Sequence, residues 1–249
     1  LLDDRYWQAN IRQLVATGLD ASTAEEQLKE KWKTDIDQLT KTINFCIYTA
    51  LADENQIYEK IAALNDRMWE LGRRYPHAGY GGRFRAWLAS SDPQPYDSYG
   101  NGSAMRVGAI PWFFGGEADV LSEAQKSAEP THNHPEGIKG AQATALAIRM
   151  ALDGRGKPEI RRRLAETFHY DLSRSVEQLG EHHGFDVTCQ GTVPPAIIIA
   201  LESRSYEDAV RKAVVQGGDS DTLECIAGSI AEAIHGDVPE PIVREVAKR

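Results

Sequence analysis

The sequence predicts an all-α fold, a compact orthogonal helical bundle, and three observations carry that expectation. Apolar residues recur three and four positions apart in one segment after another, the period of a helix with one buried face. Strand signals are scarce, with only a short stretch at Phe185–Cys189 to set against them. Helix-start grammar recurs along the chain, as at Ser22-Thr23, Pro135 and Asp219.

Taken in order, residues 5–33 are rich in Gln, Glu, Lys, Ala and Leu and read as two helices, divided at Gly18 and restarted by Ser22-Thr23 ahead of Ala24–Trp32. A third helix is predicted over Gln38–Ala52, where Leu39, Ile43, Cys46, Ile47 and Ala50 share a face, and a fourth over Asn55–Leu71. Tyr75–Gly82 is a glycine-rich turn before a short helix at Phe84–Leu88. Ser90–Gly102 is a polar connection punctuated by Pro93 and Pro95. Helices are then expected at Ser103–Trp112, Ala118–Ala128, Pro135–Leu152, Lys157–Phe168, Pro194–Leu201, Tyr206–Val215 and Glu240–Ala247. Between the last two, Leu223–Gly236 carries apolar and small residues on most of its faces, the pattern of a central helix packed all round.

The chain has 249 residues, 41% of them hydrophobic, enough for a sizeable core. No run of about 18 apolar residues occurs, and the basic-then-apolar pattern of a signal peptide is missing, so a membrane or secreted protein is not expected. Cys46, Cys189 and Cys225 are an odd, widely spaced set without a CxxC, which predicts free thiols in a reducing, cytoplasmic setting. A net charge of −9 argues against binding a nucleic-acid backbone, which needs clustered Lys and Arg. A small anion would need local backbone donors or a metal ion.

Chemistry concentrates in a few stretches. In Gly217-Gly218-Asp219-Ser220-Asp221-Thr222, two glycines precede a crowd of oxygen-bearing side chains at a helix start. At such a junction Asp219, Asp221 and the Thr222 hydroxyl can converge as hard oxygen ligands for Mg²⁺, Mn²⁺ or Ca²⁺; equally, Asp219 or Ser220 can cap the helix and Asp221 complement its dipole. Asn101-Gly102-Ser103 joins a flexible turn to a helix start, either an anion-holding concavity or an ordinary turn and cap. His132-Asn133-His134 precedes Pro135 and Glu136; a ligand contact or a structural hydrogen bond suits the histidines better than zinc, for which no third ligand lies nearby. Cys189 lacks an activating context and Phe185 is by default a packing residue.

In order and spacing, Gly100–Arg106, Thr131–Gly137 and Gly217–Thr222 resemble the ADP-ribosylglycohydrolase family, with softer similarities at Tyr75–Gly82, Tyr170–Ser173 and Phe185–Gly191. The resemblance runs from near Arg74 to the C-terminus. It implies one domain over residues 1–249, with 1–37 a divergent helical region, that holds a pair of Mg²⁺ ions, Mn²⁺ being the alternative. It implies removal of ADP-ribose from a modified protein or small molecule. Asp219, Asp221 and Thr222 would supply the C-terminal half of the metal site, with Asp219 or Asp221 orienting the attacking water. Asn101, Gly102 and Ser103 would face the phosphates and the distal ribose, and His132, Asn133 and His134 would line the same cleft. Family members usually open with a Gly-Asp helix start and a Thr-Asp-Asp that complete the metal site. Here the nearest stretch, Thr34-Asp35-Ile36-Asp37, is one residue out of register; if Leu39–Leu51 is the helix that normally follows Thr-Asp-Asp, the equivalent positions are Gln38, Leu39 and Thr40, which cannot replace two carboxylates. A non-catalytic relative that binds ADP-ribose or serves a structural role is the alternative.

Overall fold

The computed structural model describes residues 64–76, 79–180, 184–236 and 238–247, together with Val15, Asp20, Ser22, Thr23 and Glu26. Apart from those five residues, the helices expected in 5–33 and 38–52, the first half of that expected over 55–71, and the Thr34–Asp37 stretch lie outside the described residues. Within them the chain forms α1 (Leu64–Arg74), α2 (Gly82–Ala89), α3 (Gly102–Arg106), α4 (Ile110–Phe113), α5 (Glu117–Ala128) and α6 (Pro135–Leu152). It continues through α7 (Lys157–Phe168), α8 (Val176–Gly180), α9 (Cys189–Glu202), α10 (Tyr206–Gln216), α11 (Ser220–His235) and α12 (Glu240–Ala247). No strand is present among the described residues, so the all-α expectation holds.

Three mutually packed helices, α6, α9 and α11, form the centre. In α9 every residue from Thr192 to Leu201 is buried, including the consecutive Ile197, Ile198 and Ile199, which no single helix face can accommodate. Each such side chain contributes about 1.5–3 kcal/mol on leaving water. In α6, Ala143–Ile148 is likewise enclosed, and Thr222–Gly228 of α11 is buried throughout. The central position expected for α11 is thus shared, and α9 is the more completely covered of the two. Around this centre α10 packs on α11, α5 and α7 on α6, and the short α3 wedges against α6 and α11. Arg149 of α6 donates from Nη1 to the Pro111 carbonyl at 2.8 Å, tying α4 to the core.

Three local expectations are corrected. The single helix over Ser103–Trp112 is two, because Pro111 has no N–H and its ring excludes a continuous helix through the preceding turn; Gly108 at the break lies close against Ser229 of α11. The helix expected to begin at Pro194 begins at Cys189: the Thr188 hydroxyl accepts from the Gly191 N–H at 3.1 Å and caps a first turn that the prolines follow. The strand expected at Phe185–Cys189 is a single antiparallel bridge, Gly100 to Thr188, with Asn101 N–H donating to Val187 and Cys189 N–H to Tyr99, both at 2.9 Å. Elsewhere α6, α7 and α12 have their expected bounds, and α8 went unpredicted. No helix of the described residues is long and apolar enough to cross a membrane.

The approach of α6 to α9 depends on Gly140, where an added Cβ would stand 2.4 Å from Cys189 Sγ and 2.8 Å from its Cβ. Gly140→Ala is therefore expected to lower stability by about 1–3 kcal/mol, the usual cost of overpacking. Urea unfolding measures it, and adding Cys189→Ala should restore part of the loss, since the two positions share one contact.

Candidate functional site

The turn between α10 and α11 sets the position of Asp219. Gly217 and Gly218 have φ of 71° and 66°, left-handed values that side-chain-bearing residues seldom adopt, and they reverse the chain sharply at the end of α10. Asp219 stands at the N-cap of α11 but makes no side-chain cap bond to its own helix. Its Oδ2 instead accepts from Asn101 Nδ2 at 2.6 Å. Burial raises the Asp219 carboxyl above its ordinary range; the Asn101 amide opposes that, and the negative charge of Asp221 adds to it. Thr222, buried in the first turn, places its hydroxyl 3.4 Å from the Met105 sulfur and near enough to Asp219 to favour its ionised form.

Asn101 is only 7% exposed and joins three segments. Its backbone N–H donates to Val187, and Nδ2 reaches both Asp219 and, at 3.0 Å, Thr192 Oγ1 of α9. Ser103 is fully buried; its hydroxyl donates to the Gly137 carbonyl at 2.7 Å and lies beside Cys189 Sγ. The side chains of Asn101 and Ser103, expected to face a ligand, thus build the turn. What the turn offers a ligand is backbone: the N–H groups of Gly102 and Ser103 have no acceptor among the described residues. Burial pushes the Cys189 thiol up to about 11, and it donates to the Gly100 carbonyl, so it is a packing group.

The two histidines are used differently. His132 is buried beside this turn: a Cβ on Gly100 or Gly102 would stand 3.5 or 3.4 Å from its Nε2. Its Nδ1 lies 2.7 Å from the Thr131 hydroxyl, which also accepts from Arg106 Nη2 at 2.9 Å. Desolvation first, then the charges of Arg106 and Arg83, hold the His132 imidazole down to about 3, uncharged at neutral pH. His134 caps α6, its Nδ1 accepting from the Glu136 N–H at 3.1 Å, and its ring meets Tyr99 edge-on. Asn133 is exposed and accepts from the N–H of Asp97, which has φ of 55°.

The sequence profile of the ADP-ribosylglycohydrolase family matches residues 7–249. This chain belongs to the ADP-ribosylglycohydrolase family. It is 32% identical over 154 residues to an uncharacterised protein of Archaeoglobus fulgidus, covering 56% of this chain and 50% of that one. Human ADP-ribosylhydrolase ARH3 is 28% identical over 190 residues, covering 57% of this chain and 52% of ARH3. The ADP-ribosyl-dinitrogen reductase glycohydrolase of Rhodospirillum rubrum is 27% identical over 171 residues, 67% of this chain and 54% of that enzyme. The chain spans about half the length of these relatives. In fold it matches the solved structure of an ADP-ribosylglycohydrolase-related protein complex with a TM-score of 0.55 at 24% identity, over 75% of this chain and 73% of that one.

As a member of the ADP-ribosylglycohydrolase family, the chain can be tested for the cation the family implies. Asp219, Asp221 and Thr222 form a compact set of hard oxygen donors, and the raised Asp219 carboxyl beside Asp221 is an arrangement that a divalent cation relieves. The set fits one side of such a site. Among the described residues no group of three or more His, Cys, Asp or Glu side chains is placed to hold a metal. Two contributors escaped the sequence reading. Arg106 lies within a quoted motif but is unassigned there; it donates to the Ser127 and Ala128 carbonyls and to Thr131, pinning the loop that carries His132. Thr192 carried no signal, since the sequence placed it before the helix.

Because His132 is depressed in the folded protein, it adds stability above its unfolded value near 6.5 and loses it as pH falls toward about 3. The stability difference between wild type and His132→Gln should be greatest above pH 6.5 and shrink by up to about 1.4 kcal/mol per pH unit between 6 and 4. Urea unfolding at a series of pH values checks it. A constant difference would mean that the imidazole titrates normally.

Proposed function

We propose that this chain hydrolyses an ADP-ribosyl glycosidic bond and releases ADP-ribose from a modified protein or small molecule, residues 1–249 acting as one domain. The observation that carries the reading is the Asp219 carboxylate, which leaves its own helix uncapped and is held by Asn101 where the 98–106, 186–192 and 217–222 segments meet. Asp219, Asp221 and Thr222 are the residues that would hold Mg²⁺ or Mn²⁺. A divalent cation held there would supply Lewis-acid chemistry, stabilising negative charge on sugar oxygens and making a water more acidic.

The remaining roles fall to the protein's own groups. A carboxylate oxygen of Asp219 or Asp221 that Asn101 leaves free orients the attacking water. The N–H groups of Gly102 and Ser103 donate to anionic ligand oxygens, which matters in a chain of net charge −9. His132, uncharged, contacts the ligand through a hydrogen bond, while His134 and Asn133 keep the wall in shape. Cys189 and Cys225 are buried and are in no disulfide among the described residues, which suits a cytoplasmic setting.

Incubated with ADP-ribosylated peptide and Mg²⁺, the protein should release ADP-ribose, and Asp219→Ala should lower the rate by more than about 100-fold. The second reading, a relative that binds ADP-ribose without turnover, draws on the two carboxylates that are all the described residues bring together. Calorimetry decides between them: binding indifferent to chelator, with no release from arginine-, serine- or small-molecule-linked substrates, would favour the second.

A further inference from the structure

Asn101 is hydrogen-bonded in a way that admits one set of directions. An ionised Asp219 can only accept, so the atom 2.6 Å from its Oδ2 is the amide nitrogen of Asn101, which fixes the orientation of that side chain. The same nitrogen reaches Thr192 Oγ1 at 3.0 Å with its second hydrogen. Thr192 in turn spends its one hydroxyl hydrogen on the Asp186 carbonyl at 3.1 Å, an atom that can only accept. The chain therefore runs from Thr192 to Asp186 at one end and from Asn101 to Asp219 at the other, with each donor and acceptor determined.

The far end of this chain is tied down by its own hydrogen bonds. Asp186 Oδ1 accepts from the Thr188 N–H at 2.8 Å, and Thr188 caps α9 through the Gly191 N–H. A Cβ on Gly191 would fall 2.0 Å from Asp186 Oδ2, so the turn closes tightly on itself. Thr192 and Asn101 are 2% and 7% exposed, too buried to exchange these partners for water. A carboxylate on a turn of two glycines has freedom to rotate; this chain removes it.

We propose that Asn101 and Thr192 are positioning residues that fix the direction of the Asp219 carboxylate toward a divalent cation. The proposal rests on the preceding reading of Asp219 as a metal ligand and adds two residues to it, neither of which touches the cation. They act as outer-shell partners, whose loss typically lowers metal affinity 10- to 100-fold.

The test uses Mn²⁺ alone as probe, with affinity measured by electron paramagnetic resonance in the absence of substrate. Thr192→Val keeps the side-chain shape and removes both hydrogen bonds, so Mn²⁺ affinity should fall by about 10- to 100-fold, while Thr192→Ser should stay within about threefold of wild type. In ¹⁵N-labelled protein without metal, the Asn101 side-chain amide should exchange slowly in wild type and Thr192→Ser and faster in Thr192→Val. Should Thr192→Val fail to fold, Asn101→Ala takes its place with the same expected loss of affinity. Unchanged Mn²⁺ affinity in Thr192→Val, alongside its loss in Asp219→Ala, would overturn the positioning role and leave the metal reading standing. An equal loss in Thr192→Ser and Thr192→Val would overturn it as well, reducing Thr192 to packing. Mn²⁺ binding indifferent to Asp219→Ala would remove the metal reading and the proposal together.

Discussion

One buried amide holds the site together. The Asn101 side chain lies between α3, α9 and the turn into α11, and its two N–H groups reach partners 91 and 118 residues away in the chain. Those separations make the bonds a product of the finished fold, since nothing local brings the segments together. They also make the amide costly to lose, because Asp219 and Thr192 would each lose the donor that it supplies. The packing of α6, α9 and α11 exists independently of the site, but the direction of its key carboxylate does not.

A second buried group organises the loop that carries His132. The Arg106 guanidinium is anchored by two carbonyls and the Thr131 hydroxyl, and desolvation lowers it only to about 10, so it remains charged at neutral pH. A fixed cation there does two things. It ties the loop after α5 to α3, and its field adds to the desolvation that keeps the adjacent His132 uncharged. The two sides of the Asn101 turn differ electrostatically, with a carboxylate pair at the start of α11 and a neutral imidazole beside Gly100 and Gly102. That division suits the proposed ligand, which carries both sugar hydroxyls and phosphates.

Much of the fold was legible because it rests on local rules. Pro135 and Lys157-Pro158 open α6 and α7 where the sequence places them, since proline at a helix start loses nothing by lacking its N–H. The failures came where a local rule was outvoted. Pro194 and Pro195 read as a helix start, yet α9 runs through them because burial of Val193–Leu201 outweighs two missing backbone bonds. The alternation of Phe185–Cys189 reads as a strand, but among the described residues it has only Gly100 to pair with.

The sequence by itself determined the all-helical class, the glycine turn ahead of Asp219 and the order of the motif segments, because helix period, caps and turn chemistry act over a few residues. It left open which partners within the protein the side chains of Asp219, Ser103 and His134 bond. Only the tertiary structure decided those points: hydrogen-bond directions are chosen by partners that arrive from distant segments, and a side chain's use depends on which partner reaches it first in a space closed to water.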